Sequence, residues 1–381
     1  MRSARWLTAL TMTALLATTP GCAGTDAHGP DPGRCGLRVA FFGSLTGESM
    51  NLGRNMHEGA LLAIEEHNAR NPACTVGFVD FDSQGDPKQA PELAQQVVAD
   101  PTIIGVVGPA FSGESQAGNP ILNQGGVSTI TPAATDPSLS GGGPSTFHRM
   151  LGSDAAQGPA AARYIRETLR ARKVFVIDDT SSYGRGLSEL VMKELGPLVA
   201  QSASAQPNMT DFHGVVAEVE SAAPDVVFFG GYYAQAGRLL RELRAAGVTA
   251  TFVSGDAVKE DGFVRTAGAK AAEGAVLTCP CRPPKQDPEF SRRYRARFGH
   301  EPGTYSAEAY DSAAVFLRGI AAGRTRRPDM EKFVDDYSGT GITTQIQFTG
   351  NGELVNSSVA VWAYRVRGGQ IVADDRPIPR N

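Results

Sequence analysis

The sequence predicts an α/β protein built from parallel β-sheets and divided into two similar lobes. Short runs rich in β-branched and aromatic residues alternate with helical patterns over most of the chain, which is typical of βαβ units. The alternation occurs in two series of comparable length. The chain has 381 residues, which is more than one hydrophobic core normally serves. We therefore expect one parallel sheet for each series.

The first series begins close to residue 37. Its four strands are predicted from the runs LRVAFFG, TVGFVDF, TIIGVVG and VSTIT, because each run is short and largely apolar. Helical patterns lie between these runs, near residues 52–68, near residues 87–99 and from Ser112 onward. Strands that are separated by helices in this way pair in parallel.

The second series covers the middle of the chain. KVFVID, DVVFFGG, ATFVSG and GAVLT predict buried strands, and a weaker strand is expected near Val199. The predicted helices cover residues 154–170, 185–196, 212–222 and 234–246. Two further helical patterns follow Cys281, at residues 287–298 and 306–322. The last segments, TQIQFTGNGEL and VAVWAYRV, predict a strand, a glycine-rich turn and a strand.

The N-terminal segment predicts secretion. Arg2 and Arg5 precede an uncharged run that ends in small residues and Cys22, which is the pattern of a signal peptide over residues 1–21. TTPGC resembles a bacterial lipobox with Thr19 where an aliphatic residue is usual, so we expect lipidation of Cys22; a plain cleaved signal is the alternative. Residues 22–36 then form a flexible tether. No later run reaches the roughly 20 apolar residues of a membrane-spanning helix.

Four cysteines remain after Cys22, and an oxidising compartment favours disulfides between them. Three pairings are possible. Cys35 and Cys74 each precede a predicted strand, and those strands should be neighbours in a parallel sheet, which favours this pair. Cys279 and Cys281 would then form a tight ring or stay free. A zinc site at CPC is disfavoured because no second cysteine or histidine pair has the needed spacing.

Charge and motifs disfavour several function classes. Lys and Arg number 36 against 40 Asp and Glu, a formal charge of −4 without a basic stripe, so nucleic acid is not an expected partner. The sequence has no G-x-S-x-G elbow, P-loop, HExxH or kinase motif. None of the six histidines shares a predicted strand end with a nucleophile. We therefore expect neither an enzyme nor a bound cofactor or metal.

The residues that follow the predicted strands indicate a ligand site, because ligands of open α/β sheets bind at the carboxyl ends of the strands. Ser112 begins the helix after the third strand, and Thr135 follows the fourth. A helix N-terminus with hydroxyl groups suits a carboxylate, and the Ala133 backbone can contribute beside Thr135. The alternative for Ser112 is a helix cap without a ligand.

Six segments carry a family resemblance: YSAEAYDSAA, SDAAQGPAAARYI, PAATDPSL, DFHGVVAEVE, FFGGYYAQAGRLLRELRAAGV and AAEGAVLT. Together they resemble the leucine/isoleucine/valine-binding proteins, the substrate-binding components of branched-chain amino-acid ABC importers. The likeness extends from Leu37 to about Trp362. It implies the type I periplasmic-binding-protein fold, in which two Rossmann-like lobes are joined by three crossover segments, here near Gly152, Pro280 and Gly352. The lobes would close on the ligand by a hinge motion.

The resemblance also implies a binding site. Six residues would contact the ligand, three in one lobe and three in the other: Ser112, Ala133 and Thr135, then Tyr183, Tyr232 and Asp256. Tyr183 and Tyr232 would close over the ligand. The first three would hold the carboxylate and part of the ammonium group. Asp256 would meet the ammonium group where the family carries a Glu, which is one methylene longer. The side-chain pocket would be lined by Leu52, Phe111 and Tyr305.

The implied lobes combine distant parts of the chain. Residues 37–152 and 281–352 would form the N-terminal lobe, and residues 153–280 and 353–368 the C-terminal lobe. We expect a monomeric, lipid-anchored extracytoplasmic receptor that captures a small amino acid, with a branched aliphatic one favoured, and delivers it to an ABC importer permease. A receptor of the same fold for an amide, urea or an aromatic acid, feeding a sensor, is the alternative. A secreted hydrolase is disfavoured by the missing nucleophile.

Overall fold

The computed structural model describes residues 33–141, 145–207, 209–283, 287–355 and 359–379. Within these ranges the chain forms two lobes, each with a central sheet covered by helices, which confirms the predicted α/β fold. The expected signal peptide and the lipidation site at Cys22 lie outside the described residues. No described helix combines the length and the apolar character needed to cross a membrane.

The first lobe contains a five-stranded parallel sheet. Its strands are β1 (Arg38–Gly43), β2 (Gly77–Asp82), β3 (Ile103–Val107), β4 (Ser128–Thr131) and β5 (Phe147–Arg149). The helices that connect the first four strands are α1 (Met50–Arg70), α2 (Ala90–Ala99) and α3 (Ser112–Gln124). The strands lie in the order β2-β1-β3-β4-β5. The sequence did not predict β5, whose three residues are FHR, because a charged three-residue edge strand lacks the apolar pattern of its neighbours.

The side chains of β1 show that this sheet is buried on both faces. Val39 and Phe41 belong to the large core cluster that also contains residues of α1 and of a later helix at Ser306–Ala321. Ala40 and Phe42 belong to a second cluster with Val97 of α2. Successive side chains of a strand point to opposite faces of its sheet. The continuous apolar run that predicted β1 therefore reflects helices on both sides of the strand.

The second lobe begins with a parallel sheet of five strands. They are β6 (Val174–Asp178), β7 (Val199–Ser204), β8 (Val226–Gly230), β9 (Thr251–Ser254) and β10 (Val276–Cys279). Its helices are α4 (Asp154–Arg163), α5 (Ser182–Leu195), α6 (His213–Ala222), α7 (Tyr233–Ala245), α8 (Asp261–Ala267) and α9 (Ala269–Ala272). A π-helical turn over Tyr164–Thr168 extends α4 across most of its predicted length.

The chain then returns to the first lobe. This part contains α10 (Pro288–Phe298), α11 (Ser306–Ala321) and α12 (Arg327–Asp335), followed by the hairpin strands β11 (Ser338–Thr340) and β12 (Gln345–Gln347). Helix α11 packs against α1, and α12 packs against β3 and β4. The last strands, β13 (Trp362–Arg367) and β14 (Gln370–Ala373), join the second sheet antiparallel to β10 and to each other. The two C-terminal strands predicted from the sequence are thus present, but they lie in different sheets.

Three crossovers connect the lobes, after β5, after β10 and after β12. They lie side by side, because a methyl group added at Gly152 in the first crossover would meet Pro280 of the second and Val359 of the third. The second sheet is completed in the order β14-β13-β10-β9-β8-β6-β7. Each lobe is therefore assembled from segments that are far apart in the sequence.

Two disulfides lie at strand boundaries. Cys35 is joined to Cys74, ahead of β1 and β2, which is the pairing that the sequence favoured. Cys279 at the end of β10 is joined to Cys281, so of the two alternatives for these cysteines the structure shows the small ring. This ring includes Pro280 and lies where β10 passes into the second crossover.

The contact between α1 and α11 depends on Gly59, where a methyl group would overlap the carbonyl oxygen of Ser306. Gly59→Ala is expected to push the two helices apart and to lower the free energy of unfolding by about 1 to 3 kcal/mol. Gly186 in α5 has open space around it, so the control Gly186→Ala should raise the free energy of unfolding by roughly 0.4 to 1 kcal/mol. Chemical denaturation measures both values. Equal values for the two variants would contradict the close helix contact.

Candidate ligand-binding site

The carboxyl ends of the two sheets face each other, and aromatic rings bridge the space between them. Phe111, which follows β3, packs its ring 5.1 Å from the ring of Tyr232, which follows β8. The Tyr232 ring lies 5.5 Å from the ring of Tyr183, and the Tyr183 hydroxyl donates to Asp256 at 2.6 Å. Phe111 belongs to the first lobe and the other three residues to the second. The structure thus brings predicted residues of both lobes into one cluster.

Ser112 is the first residue of α3, and its side chain is buried. The N-cap position is held by Phe111, whose N–H donates to the Glu114 carboxylate at 3.0 Å, so the Ser112 hydroxyl does not cap its own helix. Instead it accepts from the Asp136 N–H at 3.2 Å, and no described residue accepts its O–H. The Ser112 hydroxyl can therefore still donate its proton to a ligand. With the electropositive helix N-terminus behind it, this end of the site suits a carboxylate.

Thr135 presents the opposite polarity. Its buried hydroxyl donates to Asp154 Oδ2 at 3.1 Å, and its carbonyl oxygen accepts from the Asp154 N–H at 2.8 Å. Because the hydroxyl proton is committed to Asp154, the lone pairs of Thr135 Oγ1 remain to accept a hydrogen bond. The carbonyl oxygen of Ala133 also accepts no hydrogen bond from the described residues. These two oxygens suit an ammonium group.

Asp256 lies just after β9 and is fully buried. Its Oδ1 accepts from the Tyr183 hydroxyl at 2.6 Å and from Gln157 Nε2 at 2.8 Å, and its Oδ2 accepts from the Tyr305 hydroxyl at 2.6 Å. Burial raises the pKa of the Asp256 carboxyl, and the three donors oppose that rise. A carboxylate has about four acceptor positions, so Oδ2 keeps one for a further donor.

Asp154 is a site residue that the sequence analysis did not identify. It is the first residue of α4, it is fully buried, and its Oδ1 has no hydrogen-bond partner among the described residues. Burial raises the pKa of the Asp154 carboxyl well above its ordinary value, and the negative charge of Asp256 raises it further. Gln157 Oε1, also buried, likewise lacks a partner in the described part of the chain. The signal was present in SDAAQG, because residues three apart lie on one face of a helix.

The site therefore holds two carboxyl groups that influence each other in a buried environment. A buried negative charge is costly unless a positive charge or several hydrogen-bond donors compensate it. Across the described ranges, no Lys, Arg or His forms an ion pair with either Asp154 or Asp256. A small cation with several N–H donors would satisfy both acids.

Asp179, at the end of β6, holds two aromatic residues of the second lobe in place. Its buried carboxylate accepts from the Ser181 N–H at 2.9 Å and from the backbone of Tyr232. Burial raises the pKa of this carboxyl to about 6. Ser181 caps α5 by accepting from the Gly184 N–H at 2.9 Å. Asp179 thereby ties the loop that carries Tyr183 to the loop that carries Tyr232.

The residues expected in the pocket wall are all buried and belong to one apolar cluster: Leu52, Phe111 and Tyr305. Leu52 lies in the first turn of α1. Tyr305 differs from the other two because its hydroxyl donates to Asp256. Its backbone is left-handed, with φ of 69° at the N-cap of α11. Only its ring is therefore available as an apolar wall.

Polar contacts join the lobes around the site. Three pairs each combine one residue from either lobe: Glu48 with Arg238 at 3.0 Å, Asn55 with Glu260 at 3.0 Å, and Asp136 with Ser182 at 2.9 Å. Asp136 is the same residue whose N–H donates to Ser112. The two lobes are thus closed against each other at the site.

Two groups of side chains in the described ranges could hold a metal ion, and neither includes a residue of the candidate site. They are His148, Glu331 and Asp335, and Asp211, His213 and Glu242, with ligand atoms within 4.8 Å of one another in each group. Each group already contains a His–Asp hydrogen bond. They lie apart from the two acids described above.

Comparison with known proteins shows relatives that match nearly the whole chain. A family model described as "Periplasmic binding protein" matches residues 36–369. The leucine-, isoleucine-, valine-, threonine-, and alanine-binding protein of Pseudomonas aeruginosa is 30% identical over 340 residues, which cover 86% of this chain and 90% of that protein. The leucine-specific-binding protein of Salmonella typhimurium is 30% identical over 348 residues, which cover 88% of this chain and 93% of that protein.

Solved structures agree with this result at the level of the fold. The substrate-binding protein of a branched-chain amino acid transporter from Streptococcus pneumoniae, in complex with isoleucine, has a TM-score of 0.83 at 24% identity and covers 90% of this chain and 99% of its own. A leucine binding protein from Thermotoga maritima has a TM-score of 0.81 at 25% identity, with coverage of 90% and 98%. The family match and the relatives together establish that this chain belongs to the periplasmic binding protein family.

Proposed function

We propose that this protein is an extracytoplasmic receptor that binds a small α-amino acid, with a branched aliphatic side chain favoured, and delivers it to the membrane permease of an ABC importer. The observation that carries the proposal is the pair of buried acids, Asp154 and Asp256, in the same site as the Ser112 hydroxyl. The relatives support the substrate class, since they include proteins named for binding leucine, isoleucine and valine.

The charges of an amino acid match the two ends of the site. Its carboxylate would accept from the Ser112 hydroxyl and lie at the N-terminus of α3. Its ammonium group would supply the positive charge that Asp154 and Asp256 lack. Both charges must be met when a zwitterion leaves water. Because Ser112 and Asp256 belong to different lobes, tight binding would require the lobes to close.

The number of acceptors favours a primary ammonium group. Four oxygens remain available to N–H donors: one position on Asp256 Oδ2, Asp154 Oδ1, Thr135 Oγ1 and the Ala133 carbonyl. A primary ammonium group brings three N–H bonds, which these acceptors can satisfy. A secondary amine would leave one more buried acceptor without a donor.

The apolar residues support an aliphatic side chain on the ligand. Leu52, Phe111 and the ring of Tyr305 are buried and bring no polar group to the wall, because the Tyr305 hydroxyl is occupied by Asp256. An uncharged amide, urea or an aromatic acid suits the site less well. Such ligands bring no positive charge, so two buried acids would remain uncompensated.

The wider organisation belongs to the same proposal. Residues 1–21 would be a signal peptide and Cys22 a lipidated anchor. The tether to the membrane would end before the predicted residue 36, because Cys35 is bonded to Cys74 and belongs to the folded first lobe. The monomer would hinge between residues 37–152 with 281–352 and residues 153–280 with 353–368, at the three adjoining crossovers. The proposed role is binding and release without a catalytic step, and membership of the periplasmic binding protein family supports it.

Three ligands test the requirement for an ammonium group. L-Leucine, N-methyl-L-leucine and 4-methylpentanoate share a side chain and a carboxylate, but the second has one N–H fewer and the third has none. We expect L-leucine to bind tightest, N-methyl-L-leucine about tenfold or more weaker, and 4-methylpentanoate not measurably. Isothermal titration calorimetry gives the affinities. If none of the common α-amino acids binds, the proposal is wrong.

Removing one partner from each lobe should abolish binding. Ser112→Ala and Asp256→Ala each delete a charge-assisted hydrogen bond worth about 1.5 to 3 kcal/mol, so the double variant is expected to bind L-leucine at least about 100-fold more weakly. The control is Ser312→Ala in α11, whose buried hydroxyl donates to the Glu308 carbonyl of its own helix at 2.8 Å. Near-normal affinity of the double variant would rule out the charge arrangement.

Acid pH should weaken binding. The pKa values of Asp154 and Asp256 are raised, so both carboxyls take up protons above the ordinary value of 3.8 and then attract an ammonium group less. Affinity is expected to fall as the pH falls through the raised pKa values of the two carboxyls. Asp154→Asn should bind about tenfold more weakly at neutral pH and lose affinity less steeply on acidification. Calorimetry at several pH values measures these affinities. A wild-type affinity that is constant down to about pH 4 would contradict the role of Asp154 and Asp256 as partners of the ammonium group.

A further inference from the structure

We propose that Tyr305 is a positioning residue of the ligand site. Tyr305 lies in the first lobe and donates a hydrogen bond to Asp256 in the second lobe. When the lobes are closed, this hydrogen bond holds Asp256 as an acceptor for the ligand ammonium group. The inference rests on the proposed function, because it assigns Tyr305 a role toward the acid that would bind the ammonium group. Beyond the proposed function, the Tyr305–Asp256 contact links closure of the lobes to the geometry of the ligand site, in addition to any contact made by the ligand.

The origin of the three donors carries the inference. Tyr183 of α5 and Gln157 of α4 belong to the same lobe as Asp256, and their hydrogen bonds can persist whatever the lobes do. Tyr305 precedes α11, which packs against α1 in the first lobe. Its 2.6 Å hydrogen bond to Asp256 Oδ2 therefore crosses the cleft. This third donor reaches Asp256 only when the lobes meet.

The neighbouring residues form a second contact of the same kind. Thr304, just before Tyr305, accepts from Lys259 Nζ at 3.1 Å, and its hydroxyl donates to the Lys259 carbonyl. All three side chains are buried. Lys259 lies three residues after Asp256, so two consecutive residues of the first lobe dock on one short turn of the second.

The backbone of Tyr305 is consistent with a position that its contacts hold. Its φ of 69° is left-handed, a conformation that a bulky residue rarely adopts. Such conformations persist where the surrounding structure holds them, and they cluster at functional sites. The Tyr305 hydroxyl is the only polar atom of its side chain, and it points to the acid.

The hydrogen bond also influences the charge of Asp256. The carboxyl is surrounded by one other acid, several tyrosines and one amine: Asp154 of α4, Tyr183 of α5, Tyr232 before α7, Tyr305 before α11, and Lys259. A donor to a carboxylate favours the ionised form. Loss of the Tyr305 donor would therefore raise the pKa of Asp256 further and make its protonation compete with ligand binding at a higher pH.

Tyr305→Phe keeps the aromatic ring and removes only the hydroxyl. We expect its affinity for L-leucine to be about tenfold or more below that of the wild type at pH 8, and the difference to widen at about pH 6. The matched control is Tyr164→Phe, because the buried Tyr164 hydroxyl donates to Asp374 at 2.9 Å within the second lobe. This control should bind as the wild type does at both pH values.

The pH comparison separates positioning from a general packing role. A packing defect would weaken binding by the same factor at both pH values, and that outcome would overturn the proposal, as would an unchanged affinity of Tyr305→Phe. Thermal unfolding of both variants checks that they are folded.

A second measurement does not depend on the ligand. In protein dialysed free of amino acids, small-angle X-ray scattering should give Tyr305→Phe a larger radius of gyration than the wild type, because one hydrogen bond between the lobes is lost. Tyr164→Phe should match the wild type. If the wild type binds no amino acid, the proposed function is wrong, and the scattering measurement alone tests the contact between Tyr305 and Asp256. An unchanged radius of gyration of Tyr305→Phe would then contradict a role of this contact in holding the lobes together.

Discussion

Asp154 and Asp256 are buried together, and the electrostatic cost of that arrangement governs the site. Burial raises the pKa of both carboxyls, and the charge of Asp256 raises the pKa of Asp154 further. Hydrogen bonds from Tyr183, Gln157 and Tyr305 offset part of the cost at Asp256. Within the described ranges, the Asp154 carboxylate accepts one hydrogen bond, from the Thr135 hydroxyl. An arrangement of this kind favours a ligand that brings its own positive charge.

In the proposed site, hydrogen bonds within the fold decide which part of a ligand the hydroxyls of Ser112 and Thr135 could meet. The Asp136 N–H donates a hydrogen bond to the Ser112 hydroxyl oxygen, and the Thr135 hydroxyl donates its proton to the Asp154 carboxylate. Two similar side chains, at the ends of adjacent strands, therefore present a donor and an acceptor. The second lobe contributes most of the negative charge, and Tyr305 connects that charge to the first lobe. In the proposed function, ligand recognition and lobe closure would share these contacts.

Regular elements were predicted well where the local pattern is strong. The apolar runs of β1, β3, β6 and β8 identified buried strands, and the periodic patterns identified α1, α7 and α11. The prediction missed elements that are defined by their contacts with distant segments rather than by a local sequence pattern. β5 has three residues, α8 has seven, and the hairpin partner of β12 is β11 rather than the next strand along the chain. Such choices depend on contacts between distant segments.

The sequence by itself determined the α/β architecture, the division into two lobes and the positions of Ser112, Thr135, Tyr183 and Asp256 at strand ends, because those features follow from local periodicity and from the geometry of parallel sheets. Tertiary structure alone decided that Asp154 accepts from Thr135, that the Ser112 hydroxyl keeps its proton while the Thr135 hydroxyl keeps its lone pairs, and that Tyr305 reaches Asp256. Hydrogen-bond polarity and pKa depend on which groups meet after folding. A one-dimensional pattern does not contain that information for residues 49 or 73 positions apart, as Tyr305 and Tyr183 are from Asp256.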